Sequence, residues 1–207
     1  MAIYLHQHDL PEGVLSGDLE RPIAVDTETM GLDPARDRLC LVQLSCGDGD
    51  AHLVKITRDQ DNPHHLIQLL EDPKRLKLMH YARFDIGVLA YRFGVWTKPV
   101  YCTKLASKLV RTYSPRHGLR DLALELLGVE LLKQMQSSDW GQETFTKAQL
   151  EYAASDVLYL HQIFEKLDHM IRREDRKTLL QQCLDFLPSR VALDLAGWRG
   201  RDIFAHE

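Results

Sequence analysis

Four carboxylates and one tyrosine constrain this 207-residue chain more than any other feature. Asp26 and Glu28 stand in AVDTET, Asp85 in HYARFD, and Tyr152 with Asp156 in EYAASD. Residues i and i+2 of a strand share a face. A strand over 22–29 therefore projects Asp26 and Glu28 together, with Val25 and Thr27 on the other side. Residues i and i+4 of a helix share a face, so a helix beginning near Thr146 presents Tyr152 and Asp156 as a pair. Asp85 follows Phe84 at a strand-to-helix junction, where a helix N-terminus favours negative charge. Carboxylates converging in an apolar cleft are unstable unless cations neutralise them. A pair of divalent metal ions is the natural solution, and phosphodiester cleavage is the chemistry such a pair serves best.

The rest of the chain reads as α/β. PIAVDTET is a buried strand with a polar tip, and 38–56 is two strands joined by GDGD. A helix is expected over 62–72, with Asn62 as cap and Pro63 in the first turn. RLKLMH is a strand, 84–94 a helix closed by Gly94, PVYCT a short extended piece and KLASKLVRTY a helix. The second half is helical: 118–128 ends at a glycine, and Thr146 with Gln149 forms a capping box for one long helix to about residue 173. A last helix is expected over 175–186, followed by an apolar tail that packs on its own domain or on another subunit. No repeat or linker divides the chain, so 1–207 is expected to be a single domain.

Composition narrows the partners. The net charge of −4 is unlike that of a protein gripping long nucleic acid through many phosphates, so a nucleic-acid substrate is expected to be short or locally held. Cys40, Cys46, Cys102 and Cys183 form no C-x-x-C pair, which points to reduced thiols in a cytoplasmic protein. No secretory signal and no membrane-length apolar run is visible.

The segments DTET, HYARFD and YAASD resemble the three exonuclease motifs of the DEDD superfamily of 3′–5′ exonucleases, in the branch with tyrosine in the third motif. The histidine branch would place His five residues before Asp156, where Glu151 stands. Tyr81 stands where many relatives carry Asn, a position that is not a metal ligand. The chain resembles the catalytic domain of ribonuclease D without its helical C-terminal nucleic-acid-binding domains. RDRLCLVQLS, CTKLASKLVRTY, RHGLRDLALELLG, KQMQSSDW, YAASDVLYLH and DIFAH extend a closer resemblance to the nanoRNase C group over nearly the whole chain.

That resemblance implies a ribonuclease H-like fold, with a mixed sheet of about five strands flanked by helices. It implies two divalent cations, Mg²⁺ or Mn²⁺, about 4 Å apart. Asp26 would bind both ions, Glu28 and Asp156 would complete the first site, and Asp85 would support the second. Tyr152 would orient the attacking water rather than act as a base, since its ordinary pKa is near 10. The implied substrates are very short RNAs, above all dinucleotides such as pGpG. The implied assembly is a closed homo-oligomer, an octameric ring.

Beyond these five, Thr29 is a candidate substrate contact, and Leu32 in TMGLDP reads as a wedge between two bases or as ordinary loop packing. His80 and Phe84 would meet the terminal base or sugar, or Phe84 would be core. Lys133, Ser137, Ser138 and Trp140 form a polar segment in which Lys133 would offset phosphate charge and Trp140 would stack or plug the core. Lys104, Lys108, Arg111, Arg116 and Arg120 occupy 103–120 with no acid among them, either a wet helix face or a phosphate-holding patch; Lys104 and Arg111 are its leading candidates. Two further readings stand beside the dinucleotide enzyme: a ribonuclease D-like trimmer of longer RNA or DNA, and a binding module without catalysis.

Overall fold

The computed structural model describes residues 2–15, 17, 20–58, 62–131, 135 and 137–206. Its strands are β1 (Ile3–Gln7), β2 (Ile23–Thr29), β3 (Leu39–Ser45), β4 (Ala51–Lys55), β5 (Lys77–Met79) and β6 (Val100–Cys102). They form one mixed sheet in the order β1-β4-β3-β2-β5-β6. The β4-β3-β2 run is antiparallel, while β1 pairs parallel to β4, and β5 and β6 extend β2 in parallel. The sheet thus has six strands rather than five. The extra one, β1, is a half-exposed edge strand whose partner lies some fifty residues away, so local patterning does not announce it.

Central position decides which strand carries chemistry. Ile23, Ala24 and Val25 have no exposed surface, and they bring Asp26 and Glu28 to the end of the innermost strand. Side chains alternate across β2: Ala24 enters one apolar cluster and Val25 the opposite one. On the Val25 side lie α1 (His64–Glu71), α2 (Ala82–Phe93) and the end of α7 (Lys177–Leu193). On the Ala24 side lie α3 (Thr103–Val110), α4 (Leu119–Leu127) and α6 (Leu160–Arg173). Helix α5 (Lys147–Leu158) packs on β2, β3 and β4.

Three helix boundaries differ from expectation. The helix starting at the Thr146–Gln149 capping box, which is present, breaks at Tyr159 (φ −103°, ψ −4°) and gives α5 and α6. Helix α7 runs through Pro188 to Leu193, because Leu187 and Val191, one turn apart, both bury in the core. Asn62 does not cap α1. Asp9 does so from the far side of the chain, accepting the His65 and Leu66 backbone N–H groups at 2.9 and 3.0 Å.

All four cysteines are free. Among the described residues, no helix is long and apolar enough to cross a membrane.

Asp9→Ala leaves those N–H groups without their acceptor. Chemical denaturation should show a loss of about 1 kcal/mol, the usual cost of a deleted cap, and Asp9→Asn should recover most of it.

Candidate active site

The acids converge as the two periodicities require. Asp26 and Glu28 from β2 and Asp156 from α5 bring one carboxylate oxygen each to within 4.8 Å of one another. Tyr152, one turn before Asp156, stands beside that carboxylate and lines the same cleft. Asp85, in the first turn of α2, is buried and stands just outside this trio, close enough to Asp26 and Glu28 to repel both. It arrives from the opposite layer, over the end of β2, because α2 packs on the Val25 face.

The electrostatics follow from this crowding. Burial pushes the Asp26 carboxyl up to about 7. Burial, with repulsion from Asp26, Asp156 and Asp85, pushes Glu28 up to about 10. Burial and then Asp26 hold Asp85 and Asp156 well above the ordinary carboxylate range. Burial and the neighbouring acids raise Tyr152 above an ordinary phenol, so it is a neutral hydrogen-bond donor near neutrality. An all-oxygen set of acids that resist ionising together is suited to hard divalent cations, which supply the missing positive charge. The residues therefore fit a Mg²⁺-type centre.

The surrounding cleft has a volume of about 840 Å³, within the usual range for ligand sites. Thr29, Leu32, His80, Phe84, Lys104, Ser137 and Ser138 line it. Leu32 stands at its mouth, 76% exposed. His80 binds the Thr103 hydroxyl through Nδ1 at 2.9 Å, and burial, with Lys104 adding, pushes its pKa down to about 3. It is a neutral ring. Ser138 accepts a hydrogen bond from Gln149, tying the polar segment to the start of α5.

Two expected substrate contacts are corrected. Arg111 is fully buried, donating to the Ser107 hydroxyl, the Arg116 carbonyl and the Glu125 carboxylate. It holds α3 against α4, and no phosphate reaches it there. Trp140 is 2% exposed and packs 6.1 Å from the Tyr152 ring. It packs behind α5 in the core rather than lying open to stack on a base. Lys133 lies outside the described residues. The basic segment is divided: Lys104 and Arg120 line the cleft, Arg120 also pairing with Glu130 at 3.3 Å, while Arg116 pairs with Asp121 at 3.8 Å.

Two residues of the site escaped sequence reasoning. Strand alternation puts Thr27 on the far face of β2, and there it lies, but α2 covers that face, and the Thr27 hydroxyl donates to Asp85 Oδ1 at 2.7 Å. Tyr81 lines the cleft in a left-handed conformation (φ 67°), with Lys104 Nζ 4.5 Å from its ring centroid. Its departure from the family pattern was the available signal.

A mixed sheet flanked by helices, with this acid set on a central strand and two helices, defines a nuclease of the 3′–5′ exonuclease class. Residues 5–172 match the family model described as 3′–5′ exonuclease, and the chain belongs to that family. Within it, the chain is similar over its whole length to NrnC of Brucella melitensis. It is 49% identical to the structure bound to pGG, covering 100% of both chains with a TM-score of 0.94. It is 48% identical to the structure with bound Mg²⁺, covering 100% of both chains with a TM-score of 0.93. It is also 31% identical to ribonuclease D of Granulibacter bethesdensis over 74% of this chain and 38% of that one. The chain spans well under half the length of the curated ribonuclease D and DNA polymerase I relatives it matches.

The raised carboxyl pKa values have a sign that can be measured. An acid with a higher pKa folded than unfolded binds more protons in the native state, so stability falls as pH rises between the two values. For Asp26 that window runs from the ordinary value of 3.8 to about 7. In EDTA, the melting temperature should fall across it. Added Mg²⁺ should raise the melting temperature more at pH 8 than at pH 5, and Asp26→Asn should flatten the EDTA slope.

Proposed function

We propose that the protein is a 3′–5′ exoribonuclease of very short RNA, acting by preference on dinucleotides and releasing nucleoside 5′-monophosphates. The observation that carries the hydrolytic reading is the convergence of Asp26, Glu28 and Asp156 beside Asp85 and Tyr152 in one cleft. The full-length likeness to a protein whose structure holds pGG supports the preference for short substrates.

Asp26, Glu28 and Asp156 would hold one Mg²⁺, with Asp26 shared with a second that Asp85 supports. When bound, such a pair lowers the pKa of a water and shields charge on the leaving oxygen. Tyr152 remains a protonated phenol beside Asp156 and orients the attacking water through its oxygen. Thr27 holds Asp85 in place. Leu32 separates the two bases, Phe84 and neutral His80 face the terminal nucleoside, and Thr29, Ser137 and Ser138 supply polar contacts. Lys104 and Arg120 offset phosphate charge.

Mn²⁺ serves the same oxygen ligands and is the expected alternative ion. The described residues build one sheet with its helices, which supports reading 1–207 as one exonuclease domain. A cytoplasmic location agrees with the free thiols. A closed homo-oligomeric ring, octameric in this reading, would restrict entry to short chains. The 31% identity to ribonuclease D favours a second reading, general 3′ trimming of longer RNA or DNA.

The test is a Mg²⁺-dependent time course on 5′-labelled RNAs from a dinucleotide to a heptanucleotide, beside a long tailed RNA, with Asp26→Ala as control. Loss of the dinucleotide at least tenfold faster than the rest supports the proposal. Equal or faster trimming of the long RNA replaces it with the ribonuclease D-like reading. Turnover undiminished in Asp26→Ala overturns the site assignment altogether. In the same assay Thr27→Val should lower kcat about tenfold, the usual scale for a group that orients a metal ligand, with KM little changed.

A further inference from the structure

An exposed apolar side chain can hold stacked bases apart only if its backbone does not yield. The Leu32 loop is braced internally. The Asp33 backbone N–H donates to Asp37 Oδ2 at 2.9 Å, and the Asp37 N–H donates back to the Asp33 carbonyl at 2.7 Å. The Asp37 carboxylate occupies the space where a side chain on Gly31 would begin. These bonds shape the loop but do not join it to the rest of the molecule.

Pro34 of the loop is buried against Gly87 of α2, and the C-terminal segment adds a polar connection at Leu32 itself. Arg199 donates from Nη2 to the Leu32 carbonyl and approaches Asp33 Oδ2 to 3.7 Å through Nη1. Arg199 is itself anchored. The chain turns at Gly197 (φ 101°), and Arg190 of α7 donates to the Trp198 carbonyl at 2.8 Å and to Asp194 at 2.7 Å. Asp194 takes two further bonds from Arg83 of α2, at 2.5 and 2.6 Å. Arg83 lies two residues before Asp85. A continuous run of charge-assisted bonds thus joins the helix carrying a catalytic acid to the backbone of Leu32.

We propose that Arg199 is a positioning residue that fixes the Leu32 wedge from behind and so sets the grip on the second nucleotide of the substrate. This rests on the reading of Leu32 as a wedge. The guanidinium touches none of the acids and meets the cleft lining at the Leu32 backbone carbonyl, so its effect runs through the loop. It acts on the binding of a two-base substrate and leaves the hydrolytic step alone.

The experiment measures KM and kcat for an RNA dinucleotide and for the p-nitrophenyl ester of a nucleoside 5′-monophosphate, which offers the same scissile phosphate with one base. Arg199→Ala should raise the dinucleotide KM about fivefold, the scale of one half-exposed charge-assisted hydrogen bond. kcat and the ester kinetics should stay within about twofold, and Arg199→Lys should recover most of the loss. In a Leu32→Ala background, Arg199→Ala should add nothing, since the two then act as one unit. If Leu32→Ala raises the dinucleotide KM and Arg199→Ala does not, the wedge stands and the role of Arg199 is overturned. If Leu32→Ala itself has no effect, the wedge reading falls and this proposal with it. Equal losses on dinucleotide and ester, or additive effects in the double variant, also overturn it.

Discussion

Repulsion among buried carboxylates is the constraint on which the rest of this structure depends. Four acids meet at the end of one central strand, and none is comfortable there without added positive charge. Features that look purely structural hold them against that repulsion. Ile23, Ala24 and Val25 fix β2 by complete burial. The capping box starts α5 firmly, so that Tyr152 and Asp156 are set one turn apart at a defined height. Trp140 packs behind Tyr152, and Thr27 ties Asp85 down across the sheet. Cations bound among these acids would take the place of the protons that otherwise relieve the repulsion, which is why such a set suits a Mg²⁺-type centre.

The convergence of the acids was legible in the sequence because local periods set their directions. A two-residue repeat aims Asp26 and Glu28, and a four-residue repeat aims Tyr152 and Asp156, whatever the remaining chain does. The capping box was legible for the same reason, since Thr146 and Gln149 are three residues apart and both of its bonds form.

What stayed hidden depends on distant partners. The Asp9 cap bridges more than fifty residues, and β1 finds β4 across a similar gap. Arg111 reads as free because no acid lies within 103–120, yet Glu125 of the next helix reaches it. Burial of Arg75 and Lys77 was equally invisible: Lys77 donates to two backbone carbonyls, and Arg75 to two more and to Cys46 Sγ, partners that carry no signature in a sequence. Trp140 carried both possibilities in its ring, and only the position of α5 decides between them. The helix break at Tyr159 likewise follows from packing, because nothing in YAASDVLYLHQIF forbids a continuous helix.

The alternation of β2 has a consequence for how such a chain can change over time. Asp26 and Glu28 lie on one face of the strand and Thr27, which holds Asp85, on the other, so the site is written in the parity of a count. Replacing one of these residues alters a single contact. Adding or removing one residue between Ile23 and Asp26 would exchange both faces at once, sending the acids among the apolar groups of α2 and the threonine into the cleft. This stretch can therefore drift by substitution but is closed to changes of length.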